Sequence, residues 1–96
     1  MNNTQIDNTD YYILPCGRYL EDFIWHKRMS FAEGSALKYR WRKGRKDGED
    51  ADKDERKCIH YCKYISERGL FGRVDAVSRH IDDLVKEATS WNGRGG

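Results

Sequence analysis

Apolar side chains recur in steps of three and four from Val74 through Val77, Ile81, Leu84 and Ala88 to Trp91. This spacing predicts an amphipathic helix over residues 74–91. Val85 widens the stripe, which suits packing in a bundle or against a second subunit. The run covers too few heptads for a coiled coil. Three further helices follow from the same reading. Leu20, Phe23, Ile24 and Lys27 share one side of a helix over 17–28. The run Ser30-Phe31-Ala32-Glu33 has the form of a capping box, with Ser30 as N-cap and Glu33 reaching back. It opens a helix that continues to Lys43 and stops at Gly44. Cys58, Tyr61, Cys62 and Ile65 stripe a helix over 51–69. Turn chemistry makes 44–48 a loop, and 70–73 links to the last helix. Residues 11–14 form a short apolar run ended by Pro15, extended and not helical. No stretch alternates like a strand. The expected fold is all-α, a small bundle of three to four helices in one domain over 11–91, with a polar leader at 1–10 and a flexible tail at 92–96.

Composition sharpens this picture. The 96 residues suit one domain with a modest core. Charged residues make up 35%, but aromatics reach 12%, so a folded core under a polar surface is expected. No apolar run approaches the roughly 18 residues of a membrane span. The first ten residues lack the basic start and apolar segment of a signal peptide. Cys16, Cys58 and Cys62 are an odd set at no framework spacing, which points to free thiols in a reducing cytosol.

Net charge is only +2, yet the charges are segregated. Lys38, Arg40, Arg42, Lys43, Arg45 and Lys46 lie together with no acid among them. Asp47, Glu49, Asp50, Asp52, Asp54 and Glu55 follow, interrupted only by Lys53. On a wheel of about 100° per residue, Phe31, Gly34, Leu37 and Trp41 define the core arc of the second helix. Lys38, Arg42 and, were the helix to continue that far, Arg45 fall beside or within it, while Arg40 and Lys43 point away. Asp54 aligns with Cys58, Tyr61 and Ile65 on the third helix. The two helices are therefore expected to turn Lys38, Arg42 and Asp54 toward each other. A salt-bridge clamp satisfies these charges, as does an anionic ligand. Arginine's planar fork suits phosphate, Gly44 and Gly48 free the loop backbone, and Tyr39 and Trp41 interleave with the cations and could stack on a base, although Trp41 reads as core.

Other chemistries fit less well. Cys58 and Cys62 with His60 lack the four converging ligands of a zinc site, and no metal ligand set is expected from protein side chains alone. His26 and His80 are expected at the surface. Gly44-Arg45-Lys46 lacks the earlier glycine and the strand of a P-loop. The acidic run is too irregular for an EF-hand loop, though one or two carboxylates could assist a magnesium ion held by nucleotide phosphates.

The sequence also carries a family pattern. Glu21-Asp22-Phe23-Ile24 is followed by Phe31-x-x-Gly34-x-Ala36-x-Lys38-Tyr39-x-x-Arg42-x-Gly44-x-Lys46, and then by Asp54-x-x-Lys57-x-x-x-Tyr61. Over residues 11–68 this resembles the small phage nucleotide kinase-like family, much of which is catalogued as a domain of unknown function. The resemblance implies a phage-encoded, mostly helical, oligomer-forming protein of the host cytoplasm. One branch of that family phosphorylates deoxynucleoside monophosphates without an ordinary ATP-binding motif. Carried over, its positions are Lys38, Tyr39, Arg42, Gly44, Lys46, Asp54, Lys57 and Tyr61. The chain departs from the pattern with Tyr11-Tyr12 in place of a His-Tyr pair, and with Glu55 where leucine is usual.

The leading expectation is a nucleotide-binding protein reading phosphate at the hinge between the second and third helices. Lys38, Arg42, Arg45 and Lys46 would contact phosphates. Tyr39 or Tyr61 would touch the base, and Asp54 would orient a cation. Phosphoryl transfer to a deoxynucleoside monophosphate is one version. Sequestration of a cyclic nucleotide signal of host immunity, a counter-defence role, is another. A third class is inhibition of a host enzyme by direct contact. DNA is an improbable partner, because the acidic block adjoins the basic one. Self-association is expected through Val77, Ile81, Leu84, Ala88 and Trp91.

Overall fold

The computed structural model describes residues 11–43, 45, 51–69 and 72–95. The helices are α1 (Leu20–His26), α2 (Phe31–Arg42), α3 (Ala51–Glu67) and α4 (Val74–Ser90). No strand occurs among the described residues. Gly44 and residues 46–50 of the expected loop, like the expected leader 1–10, fall outside them, and so do residues 70, 71 and 96. The all-α fold read from the periodicity is the fold observed. Each helix boundary follows a local cause. Ser30 Oγ accepts the Glu33 backbone N–H at 3.1 Å, so the N-cap of α2 forms as read. The Glu33 carboxylate does not reach back, however; it meets His80 Nε2 on α4 at 2.7 Å. Half the capping box has become a tertiary contact.

The chain before α1 is a tight loop. Ile13 pairs with Tyr19 in an isolated antiparallel bridge. Inside it Leu14 N–H donates to Arg18 O at 2.7 Å, and Gly17 N–H donates to Leu14 O at 2.8 Å. Gly17 turns the chain at φ +95°, a conformation that favours glycine. This loop uses the residues up to Arg18, so α1 begins at Leu20 and not at Gly17. Asp22 Oδ2 accepts the Tyr19 backbone N–H at 2.9 Å and closes the first turn. That bond, with Arg18 beside it, holds the Asp22 carboxyl below its ordinary pKa.

α2, α3 and α4 pack pairwise around one core, with α2 against both others. Ala36, Leu37 and Trp41 face Cys58, Cys62 and Ile65 of α3 and Val77, Ile81, Leu84 and Ala88 of α4 in a single buried cluster. Leu14, Leu20 and Phe23 join it from the loop and α1. Gly34 lets α1 approach closely, because a Cβ there would sit 3.1 Å from Ile24 Cγ2. The α4 stripe is therefore consumed within one chain. Val77, Ile81 and Ala88 are wholly buried and Leu84 is 3% exposed, while Trp91 packs partly buried on Phe23 with ring centroids 5.6 Å apart. The expected subunit interface is corrected at four of its five residues: Val77, Ile81, Leu84 and Ala88 are covered within one chain, with α2 and α3 packed against α4, and Trp91 alone stays partly exposed. Residues 92–95 follow α4 back over α1. Arg18 Nη1 donates to Gly93 O at 2.7 Å, and His26 stacks on Trp91 with centroids 5.2 Å apart. His26 and His80 are accordingly half-buried and not surface groups.

Candidate functional site

The basic run of α2 separates into three groups with different partners. The first is a clamp. Arg42 Nε lies 3.5 Å from Oδ1 of Asp54, which is only 5% exposed. Asp54 is the one buried charged residue among those described. Arg40, read as outward, is instead drawn between helices. Its guanidinium meets Asp82 and the Ser78 hydroxyl on α4, and Glu55 of α3 at 3.6 Å. Burial opposes its charge, but the nearby Cys58 sulfur and the two carboxylates outweigh that and hold its pKa above the ordinary value. The wheel misplaced Arg40 because α2 has neighbours on two sides, which narrows its solvent arc. Lys43 Nζ completes the clamp at 3.0 Å from Glu55.

The second group is a single arginine. Arg45 folds back along its own helix, donating from Nη1 to Trp41 O at 2.6 Å, with its guanidinium 3.9 Å from the Trp41 ring centroid. Partial burial lowers its pKa. Trp41 is core, as expected, and its indole N–H donates to Tyr11 O at 2.6 Å.

The third group is a platform of rings and amines. Tyr39 and Tyr61 lie nearly parallel across α2 and α3, with 6° between planes and 6.3 Å between centroids. Phe31 meets Tyr61 edge-on at 5.9 Å. Lys57 Nζ and Lys38 Nζ stand 5.2 and 5.6 Å from the centroid of the same Tyr39 ring. Both lysines are exposed, and neither has a carboxylate partner among the described residues. Phe31, assigned to the core by its spacing, is 80% exposed. The inward arc of α2 continues through Ala32, four residues before Ala36, and leaves Phe31 at its margin.

Beside this platform is a cleft of about 550 Å³ between the N-terminal loop, α1 and the start of α2. Its walls include Tyr12, Tyr19, Ile24, Met29 and Phe31, and its charged groups are Glu21 and Lys38. Sequence reasoning missed it, since nothing in a linear pattern shows that loop 11–19 lies against α2. Tyr12 links cleft to clamp: its buried hydroxyl lies close to the Arg42 guanidinium. Burial raises the Tyr12 pKa, and Arg42 offsets part of that rise.

Of the expected site residues, the fold therefore brings Lys38, Tyr39, Lys57 and Tyr61 together. It joins Arg42 to Asp54 and sets Arg45 apart; Gly44 and Lys46 lie outside the described residues. Among the described residues, no three His, Cys, Asp or Glu side chains converge on one point. No described helix is long and apolar enough to cross a membrane. The molecule is thus a small helical bundle with a lysine-aromatic platform beside a cleft. Comparison with family models, curated proteins and solved structures finds no match to this chain.

Proposed function

We propose that this protein binds a nucleotide on the platform and cleft formed by α1, α2 and α3, and releases it unchanged. One observation carries the reading. While Arg40, Arg42 and Lys43 are held by carboxylates and Arg45 by Trp41, Lys38 of α2 and Lys57 of α3 flank one tyrosine ring with no acid among the described residues to neutralise them. Two like charges beside one ring repel each other, and an intervening phosphate would reverse the sign of that interaction. The exposed Phe31 and the edges of Tyr39 and Tyr61 offer faces on which a base can stack. The clamp residues Arg40, Arg42, Asp54 and Glu55 fix the helices that carry these groups. The resemblance of residues 11–68 to the small phage nucleotide kinase-like family supports the ligand class and a role in a phage-infected cytoplasm, including counter-defence. Phosphoryl transfer would need donor and acceptor held in line with their charges neutralised, and magnesium would then enter with the nucleotide phosphates.

Equilibrium dialysis of the full chain against labelled nucleoside mono-, di- and triphosphates, followed by chromatography of the ligand, tests this reading. Binding with unchanged ligand is expected, and Lys38→Ala with Lys57→Ala should remove it while the circular dichroism spectrum stays native. Retention of no nucleotide ends the proposal. Magnesium-dependent conversion of a monophosphate to a diphosphate would replace it with the kinase reading.

A second reading rests on a different observation. Ile13, Tyr19, Trp25 and Phe31 are all exposed, and Tyr19, Trp25 and Phe31 surround the α1 face of the cleft and its shallower neighbour. Apolar surface gathered in this way also suits contact with a host protein. That reading requires co-purification with one partner and no thermal shift with any nucleotide.

A further inference from the structure

Cleft and platform share two residues. Phe31 walls the cleft and also meets Tyr61 edge-on. Lys38 lines the cleft and also stands against the Tyr39 ring. Two surfaces able to receive a flat ring thus lie on either side of one ammonium that no described carboxylate neutralises. The cleft, at about 550 Å³, falls within the range of small-molecule pockets. A mononucleotide placed in it would leave the Tyr61 and Lys57 side unused; one placed on the platform would leave the cleft unused.

Building on the nucleotide reading, we propose that the preferred ligand is a dinucleotide whose bridging phosphate sits at Lys38. One base enters the cleft, and the second nucleoside lies over Phe31 and Tyr61 beside Lys57. The cleft also selects the base. Glu21 is the only carboxylate on its walls among the described residues, and an ionised carboxylate accepts hydrogen bonds but donates none. Guanine presents an adjacent ring N–H and exocyclic amine, which a carboxylate accepts as a pair. Uracil presents one N–H between two carbonyl oxygens, and those oxygens would face the carboxylate charge. The cleft therefore favours guanine over uracil.

Calorimetric titration of the full chain with GMP, UMP and the linear dinucleotides GpG and UpU, at one fixed salt concentration, tests this. GpG is expected to bind at least tenfold more tightly than GMP, and UpU at least tenfold more weakly than GpG. Lys57→Ala, an exposed change, should weaken GpG binding at least tenfold more than it weakens GMP binding. Glu21→Gln should narrow the gap between GpG and UpU. Equal affinity for GMP and GpG overturns the dinucleotide proposal and leaves the nucleotide reading standing. If none of these four probes binds, but another mononucleotide does in dialysis, the proposal fails alone. If no nucleotide binds by either method, both fail. A GpG affinity unchanged by Lys38→Ala also overturns the proposal, because the bridging phosphate would then lie elsewhere.

Discussion

Arg42 Nε lies 3.5 Å from Asp54 Oδ1 across the α2–α3 contact, with the Asp54 side chain 6% and the Arg42 side chain 21% exposed. At that depth the pair holds the hairpin together chiefly by what each partner would suffer alone. Asp54→Ala leaves a largely desolvated guanidinium and should cost about 1–3 kcal/mol of stability. Arg42→Met with Asp54→Leu removes both charges and should recover much of the loss. Urea unfolding followed by circular dichroism measures both variants. A double variant no more stable than Asp54→Ala would show that the pair is not a clamp.

This pair also marks how far the sequence could be read. Helical spacing placed Asp54 on the Cys58–Ile65 stripe and Arg42 beside the core arc of α2, so the approach of these two charges was legible. Arg40 was not. A wheel drawn for one helix has one inward direction, whereas α2 is covered by α3 and α4 together, and the second covering element brings Asp82 and Ser78 to Arg40. The α4 stripe shows the opposite ambiguity: periodicity identifies a face that must be buried but not which molecule buries it. The cleft depends on a loop closing between Ile13 and Tyr19 and folding onto α2, a long-range event with no local signature beyond Gly17 and Pro15.

Arg40 should matter more than its outward assignment suggested. Its planar fork serves Glu55 of α3 and Asp82 and Ser78 of α4 at once. Arg40→Ala is expected to cost about 1–3 kcal/mol, and Arg40→Lys should recover only part of it because an ammonium cannot span the three partners. A double-mutant cycle with Asp82→Ala should show coupling of at least about 0.5 kcal/mol. Additive losses would assign Arg40 to packing alone.

Burial of the α4 stripe makes a clear statement about Leu84. It is 3% exposed inside one chain, so Leu84→Ala should destabilise by about 2–5 kcal/mol. Leu84→Asp should unfold the protein and not release folded monomers. Light scattering combined with circular dichroism separates these outcomes. A helical, folded Leu84→Asp protein of lower mass would show that the residue lies between subunits after all.

Gly34 tests the approach of α1 to α2. Alanine there gains up to about 1 kcal/mol of helix propensity, but its Cβ would meet Ile24 Cγ2 at 3.1 Å. Contact and propensity therefore oppose each other, and Gly34→Ala should be close to neutral. Gly34→Val has no such compensation and should destabilise by about 1–3 kcal/mol. Ile24→Ala, which shortens the opposing side chain, should reduce the penalty of Gly34→Val when the two are combined. Thermal melts of the four proteins give the comparison. Independent, additive effects would mean that the two residues do not meet.

Tyr12 predicts an alkaline limb. Burial raises its pKa above the ordinary value of 10.0, with Arg42 opposing part of that rise. The folded protein therefore keeps the phenol neutral where the unfolded chain has already lost its proton. Stability from this group is level below about pH 10 and falls as pH rises from there through the folded-state value. Tyr12→Phe removes that slope, together with the hydroxyl's contact with the Arg42 guanidinium. Urea midpoints measured from about pH 8 to about pH 11 should decline less steeply for Tyr12→Phe than for the parent chain. The Cys62 thiol, also raised by its hydrogen bond with the Cys58 thiol and by burial, slopes in the same direction but is common to both proteins and cancels in the difference. Parallel curves would place the Tyr12 hydroxyl in contact with water.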